Sequence, residues 1–397
     1  MSPCRPLRHA SPARGSSARR VLRTAAGLAL VLGLAGCSFL PAFMGGTPPP
    51  PKPAELPPNP NLLGVRQAWS VRLGPVQMPL SVQVTGTEVA VASSDGTVAV
   101  LDGDSGGERW RMSAGAPLIA GVGSDGRTVA VVTQTNQLVA LSAGQVLWRH
   151  NLPAQAYTAP LVAGGRVFVL AADRSISAHD GATGLKLWTQ QRAGEALVLR
   201  QAGVLLAVGD TLVAGQGGRL AGLNPANGNI RWEAPIGITR GTNDVERLVD
   251  LVGRVSRVGN SVCARSFQTA VGCVDADRGA VRWTRPAKGA EGIHGDDQQL
   301  VGTESNGTVL AWRRADGERA WSTDQLALRG LTAPLAAGRS VLVGDSFGFV
   351  HVLSRQDGSL LTRLTTDGTA IAAPPVLAGN TVVVVTRGGG VFGFVPQ

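Results

Sequence analysis

The chain has 397 residues, with 53 Gly, 24 Pro, 4% aromatic and 16% charged side chains, and a formal net charge of +10. Charges are too sparse for a long coiled coil, 44% hydrophobic content is too high for wholesale disorder, and the Gly residues follow no three-residue period, which excludes collagen. A basic chain raises the question of nucleic acid or an anionic membrane, so the position of the charge decides its meaning.

Residues 1–36 hold Arg5, Arg8, Arg14, Arg19, Arg20 and Arg23 and no acidic residue. An apolar run follows at residues 25–35. A basic start, a short apolar stretch and small residues after it predict a secretory signal, and the run is too short to span a bilayer. Its end, Leu34-Ala35-Gly36-Cys37, resembles a bacterial lipobox, which implies lipidation of Cys37 and cleavage before it. Ser38, in place of Asp, implies by the same resemblance the outer membrane, with the protein on its periplasmic face. Without residues 1–36 the basic residues fall from 37 to 31 against 27 acidic ones. No dense basic cluster remains, and the chain has a single Tyr, so a nucleic-acid platform is disfavoured.

Between residues 41 and 60, nine of twenty residues are Pro. Such a stretch cannot enter a sheet interior and favours polyproline II. Residues 37–61 are therefore expected to be a lipidated Cys and a passive spacer, roughly 75 Å long at about 3.1 Å per residue.

From residue 62 to 397 the sequence repeats. Trp69, Trp110, Trp148, Trp188, Trp232, Trp283 and Trp321 recur at intervals of 38 to 51 residues. Six of them follow a Gly by four positions: Gly106, Gly144, Gly184, Gly228, Gly279 and Gly317. The frame returns at Asp357-Gly358 with Thr362 in the Trp slot. Each unit begins with an alternating apolar run such as residues 89–93. A turn such as Ser94-Asp95-Gly96 leads to a second run at residues 97–101, and a Gly-containing turn then leads to the Trp-bearing strand. Period-two alternation with turns every eight to twelve residues predicts antiparallel strands. Units of about 42 residues with four strands predict propeller blades.

The expected fold is thus all-β: eight four-stranded antiparallel blades over residues 62–397. A Trp-bearing strand at residues 66–73 lacks its own preceding strands, and the last unit lacks its Trp strand, so pairing the two would close the ring and remove both edges. The seven Trp residues are expected to pack between blades, each burying about 150–250 Å². Trp312 falls outside the register and is expected on an inner strand. Cys263 and Cys273 stand where blade one has Ala90 and Val100, facing positions on adjacent strands. A disulfide is expected there, given an oxidising periplasm.

The repeat Asp/Asn-Gly…Ala-Leu-Asp…Gly-x-x-x-Trp resembles the quinoprotein-alcohol-dehydrogenase-like propellers. With the lipobox, and with the stretch Gly344-Asp345-Ser346-Phe347-Gly348-Phe349-Val350-His351, it resembles the BamB family of outer-membrane assembly lipoproteins. That resemblance implies a non-enzymatic scaffold that docks the POTRA modules of BamA, sits among the other lipoproteins of the assembly complex and helps nascent β-barrels fold and insert. Two family stretches carry the contact. One reads here Leu197-Val198-Leu199-Arg200. The other, an acidic-Arg-Leu segment ending in Asp-x-Asp, reads Glu246-Arg247-Leu248-Val249-Asp250-Leu251-Val252, with Val252 in place of the second acid. The implied contact residues are Leu197, Leu199, Arg200, Arg247 and Asp250.

The alternatives are a periplasmic quinone-dependent dehydrogenase and a glycan-binding envelope lipoprotein. A dehydrogenase of this fold would need a calcium site, a base carboxylate and, typically, a vicinal Cys pair. The sequence has no Cys-Cys, its acids fall mostly in turns, and His150, His179, His294 and His351 lack metal-ligand spacing. No catalytic residue, metal or cofactor is therefore expected.

Overall fold

The computed structural model describes residues 51–192, 197–239, 243 and 247–397; the predicted signal and Cys37 lie outside them. Among the described residues thirty-two strands build eight four-stranded antiparallel sheets. Blades one to seven follow in chain order: residues 83–113, 118–151, 161–190, 205–235, 251–286, 293–323 and 335–365. Blade eight joins the two ends of the chain. Its strands Val376–Ala378, Thr381–Val385 and Gly390–Pro396 are completed by Val65–Arg72, paired from Val65↔Pro396 to Arg72↔Gly390. The chain forms the eight-bladed propeller expected of it, closed by its N-terminal strand.

Burial explains why the alternation differs between strands. Blades pack face to face, so a middle strand such as Val129–Thr133 is buried at every position and reads as continuous Val, Ala and Thr. The outermost strand of the same blade, Gln145–Asn151, is largely exposed and buries only Trp148.

The Gly–Trp spacing has a physical origin that joins consecutive blades. Each repeat Gly closes the turn before a Trp strand in a left-handed conformation, with φ between 66° and 76° at Gly106, Gly144, Gly184, Gly228, Gly279 and Gly317, which glycine adopts without a Cβ penalty. Its bare face receives the Trp of the preceding blade, not its own. A Cβ on Gly184 would lie 2.5 Å from the Trp148 ring, and one on Gly106 2.6 Å from that of Trp69. In five junctions the indole Nε1–H also donates to a carbonyl of the same turn: Trp69 to Gly103, Trp148 to Gly181, Trp188 to Pro225, Trp283 to Arg314 and Trp321 to Arg355, at 2.6–3.0 Å. Trp232 is held by Gly279 alone, its Nε1 buried without an acceptor. Trp110 meets a turn two residues shorter, where a Cβ on Gly144 would be 3.6 Å away.

Thr362 in the Trp slot of blade seven now has a reason. The blade-eight turn it would face is not a turn but the two chain ends, where the Gln397 amide donates to Gly64 O at 3.0 Å. With no glycine turn to cover, an indole has no seat. Thr362 Oγ1 instead meets Asn61 Oδ1 at 3.4 Å.

The Pro-rich segment is not a free spacer throughout. From Ala54 onward it lies along blade seven and the segment that leads into it. The Ala54 amide donates to Ala327 O, Asn59 Nδ2 to Arg363 O, Arg363 Nη2 to Pro57 O and the Leu62 amide to Leu361 O, at 2.8–3.0 Å. Leu56 packs against the core around Trp321. Arg329 Nη1 donates to Ala54 O and its Nε to Asp345 Oδ2. Asp345, fully buried, also accepts from His351 Nε2 and from the Phe347 and Phe349 amides. Burial alone would raise the Asp345 pKa, and these donors more than offset it, holding the carboxylate below its ordinary range. The Gly344–His351 stretch therefore builds the buried ionic post to which the strap is tied.

Trp312 lies on the third strand of blade six, Val309–Arg313, inside the outer strand that carries Trp321. There it fills the space between blades five and six, buried beside Cys263, Cys273 and Trp283. Cys263 and Cys273 face each other across adjacent strands, as Ala90 and Val100 do in blade one, and are joined by a disulfide with a Cα–Cα distance of 4.0 Å.

Two predictions follow from the clasp and the strap. Trp148→Ala is expected to cost about 3 kcal/mol, as for buried aromatics elsewhere. Gly184→Ala should cost a comparable amount, Gly144→Ala only about 1 kcal/mol of left-handed strain, and the Trp148–Gly184 double variant less than the sum of its singles; denaturant unfolding of the four proteins checks this. For the strap, Leu56→Ala should speed glutamyl-endopeptidase cleavage after Glu55 about tenfold without changing cleavage elsewhere, since local opening costs roughly 1.4 kcal/mol less.

Candidate docking surface

The two implied contact stretches are distant in sequence and adjacent in space. Residues 197–203 lead into the first strand of blade four, and residues 247–253 lead into and begin that of blade five; the Gly253 amide donates to Ala202 O at 2.9 Å. Asp250 joins them. Its Oδ2 accepts from the Leu199 amide at 3.0 Å, and its Oδ1 pairs with Arg174 Nη1 at 2.8 Å. Arg174 Nη2 donates in turn to Leu197 O at 3.1 Å. The Arg174–Asp250 pair is 12% and 15% exposed, shielded enough for its charge-assisted bonds to hold a loop rather than decorate a surface.

This clamp presents side chains outward. Leu197 is 40% exposed. Arg200 is exposed, with its guanidinium 5.7 Å from the centre of the Tyr157 ring, a cation–π distance. Leu199 is half-buried against a recess of about 60 Å³ bounded by Tyr157, Arg174 and Asp250, too small for a cofactor. Arg247 sits half-buried in the turn before Asp250, its amide donating to Asn243 O; Glu246 lies outside the described residues. Val252, where the family pattern has its second acid, is 1% exposed and faces Arg265 in the sheet register. It is a core position here.

Arg174 was not among the expected residues, although a signal for it existed. It occupies the turn position held by Gly96 in blade one and Gly307 in blade six, with φ +65° against +104° and +87°. A long side chain in a left-handed turn that blades one and six fill with glycine and blade two with Asn136 carries backbone strain of order 1 kcal/mol. Here the strained residue aims its guanidinium at Asp250, two blades away. Tyr157, the chain's single Tyr, is the other residue that the sequence left unassigned. Among the described residues no group of three His, Cys, Asp or Glu side chains could hold a metal ion.

Comparison with known proteins places the chain in a family. The family model for outer membrane protein assembly factor BamB matches residues 94–323. The chain belongs to the BamB family. It is 38% identical to the Burkholderia pseudomallei BamB over 85% of this chain and 89% of that one, and 35% identical to the Bordetella pertussis BamB over 95% and 97%. The crystal structure of BamB from Moraxella catarrhalis superposes with a TM-score of 0.76 at 25% identity, covering 83% of this chain and 99% of that one. A quinohemoprotein alcohol dehydrogenase from Comamonas testosteroni superposes at 0.67 with 14% identity over 86% and 78%, a likeness of fold alone. BamB-family members are assembly factors, not enzymes, so the dehydrogenase alternative falls away.

Asp250→Ala is expected to remove the carboxylate paired with Arg174 and to leave the Leu199 amide without its acceptor. Hydrogen exchange at residues 197–200 should rise by two orders of magnitude, corresponding to about 3 kcal/mol for breaking a shielded pair, while blades seven and eight stay protected.

Proposed function

We propose that this chain is anchored to the outer membrane by lipid on Cys37, after removal of residues 1–36, and docks the periplasmic POTRA modules of BamA through the rim of blades three to five. As a BamB-family protein it is a non-enzymatic component of the β-barrel assembly machinery. The docking surface is the finer reading, and one observation carries it: the Arg174–Asp250–Leu199 clamp, which fixes the loop bearing Leu197 and Arg200. Two apolar side chains beside a guanidinium held against an aromatic ring have the composition of an interface hot spot. Because the clamp fixes the loop before binding, less ordering entropy is lost on docking. In this reading Asp250 positions the contact loop, while Leu197 and Arg200 touch the partner.

The mechanism is presentation. A closed ring of blades holds one short loop at a fixed height and angle, and the partner's modules meet a preformed patch. Arg200→Glu is expected to reduce co-purification of BamA by at least thirtyfold in apparent affinity, the scale of a hot-spot loss of about 2 kcal/mol. Arg109→Glu, on the outer strand of blade one, should leave it unchanged. Equal recovery of wild type and Arg200→Glu would count against this surface.

A further inference from the structure

The first strands of all eight blades surround an axial cavity of about 830 Å³, within the range of small-molecule sites. Its charged lining is unbalanced. Arg200, Arg254 and Arg387 face it with one carboxylate, Glu291. Among the described residues none of these four makes an ion pair, so two net positive charges line the cavity.

Arg254 is the most telling. From blade five its Nη1 donates to Pro375 O, in the segment entering blade eight, at 2.8 Å. The side chain thus projects across the axis instead of lying against its own wall. Its remaining N–H groups bond no described residue. Desolvation of the half-buried guanidinium pulls its pKa down to about 10, with no counter-charge among the described residues paired to it. Glu291, whose own pKa is raised by burial, feels Arg265 and Arg387, but Arg265 is already paired with Glu304 at 2.8 Å.

His294 adds a neutral donor. Its Nδ1 accepts the Ala336 amide at 3.0 Å, which assigns the ring proton to Nε2. Burial, with Arg254 and Arg314 nearby, pulls its pKa down to about 3, so the ring is uncharged at neutral pH. Gln201 Nε2, tied to Ala290 O at 2.8 Å, fixes the wall beside Glu291.

We propose that the axial cavity is a binding site for a small polyvalent anion, of the polycarboxylate or phosphate class, held between Arg254 and Arg387 with His294 as a neutral donor. The geometry supplies what such a ligand needs: a guanidinium fixed by its bond to Pro375 O, a second guanidinium at the mouth and a neutral N–H in one concave space. Arg200 and residues 201–203 of the docking loop also line this cavity, so its test uses Arg254 and Arg387, which lie outside that loop.

Calorimetric titration of the full-length protein at low ionic strength, with citrate and with inorganic phosphate as probes, tests the proposal. Wild type should bind at least one probe at one equivalent. Citrate alone would assign the polycarboxylate class and phosphate alone the phosphate class. Arg254→Gln and Arg387→Gln should each weaken binding about tenfold, as for loss of one charge-assisted contact, and Arg109→Gln should have no effect. Arg387 is exposed, so its variant reports binding even if Arg254→Gln lowers stability. No heat with either probe would overturn the proposal, as would wild-type affinity in Arg387→Gln or equal weakening by Arg109→Gln. A lower melting temperature for Arg254→Gln without anion binding by wild type would make Arg254 a brace and nothing more.

Discussion

The ring rests on one repeated contact: an indole laid on the bare backbone of a glycine turn that belongs to the next blade. The contact is asymmetric. At most junctions a blade gives a Trp forward and a Gly backward, so a sheet is tied to its successor by a residue pair four positions apart in the repeat but one blade apart in space. Left-handed φ and missing Cβ are needed together, which no residue other than glycine supplies without strain. The consequence reaches to the ends of the chain, where two termini replace a turn, no glycine face exists, and the Trp slot holds Thr362.

Docking uses the same scaffold by departing from it. Where the turn pattern elsewhere places Gly or Asn, blade three places Arg174, and the strain is matched by a shielded pair with Asp250 and a bond to Leu197 O. The loop carrying Leu197 and Arg200 is thereby fixed by a residue from a neighbouring blade on each side. The local rule is broken where the surface has work to do, as the logic of consistent folding leads one to expect.

Much of this was legible in the sequence because the repeat is written in two different alphabets. Trp and Gly at fixed spacing gave blade number and ring closure, and register arithmetic alone paired Cys263 with Cys273 through Ala90 and Val100. Trp312 stood outside the repeat because it lies on a middle strand, where it fills a gap between blades five and six. Arg174 was overlooked because an Arg after an Asp reads as a solvated turn residue; only its φ reveals the strain. The strap was invisible for a simpler reason. Proline-rich composition says that a segment is extended, but not what it lies along, and its partners Ala327, Arg363 and Leu361 are some three hundred residues away.

That strap has a mechanical meaning. The strand that closes the ring, Val65–Arg72, is also the one nearest the N-terminal end of the described chain, so a pull from that side would load the closing seam first and peel blade eight open. The bonds from Ala54 to Leu62 lie ahead of it and are anchored to blade seven. Tension arriving along the N-terminal segment is therefore taken up in that blade, and the strand that makes the ring a ring is relieved of it.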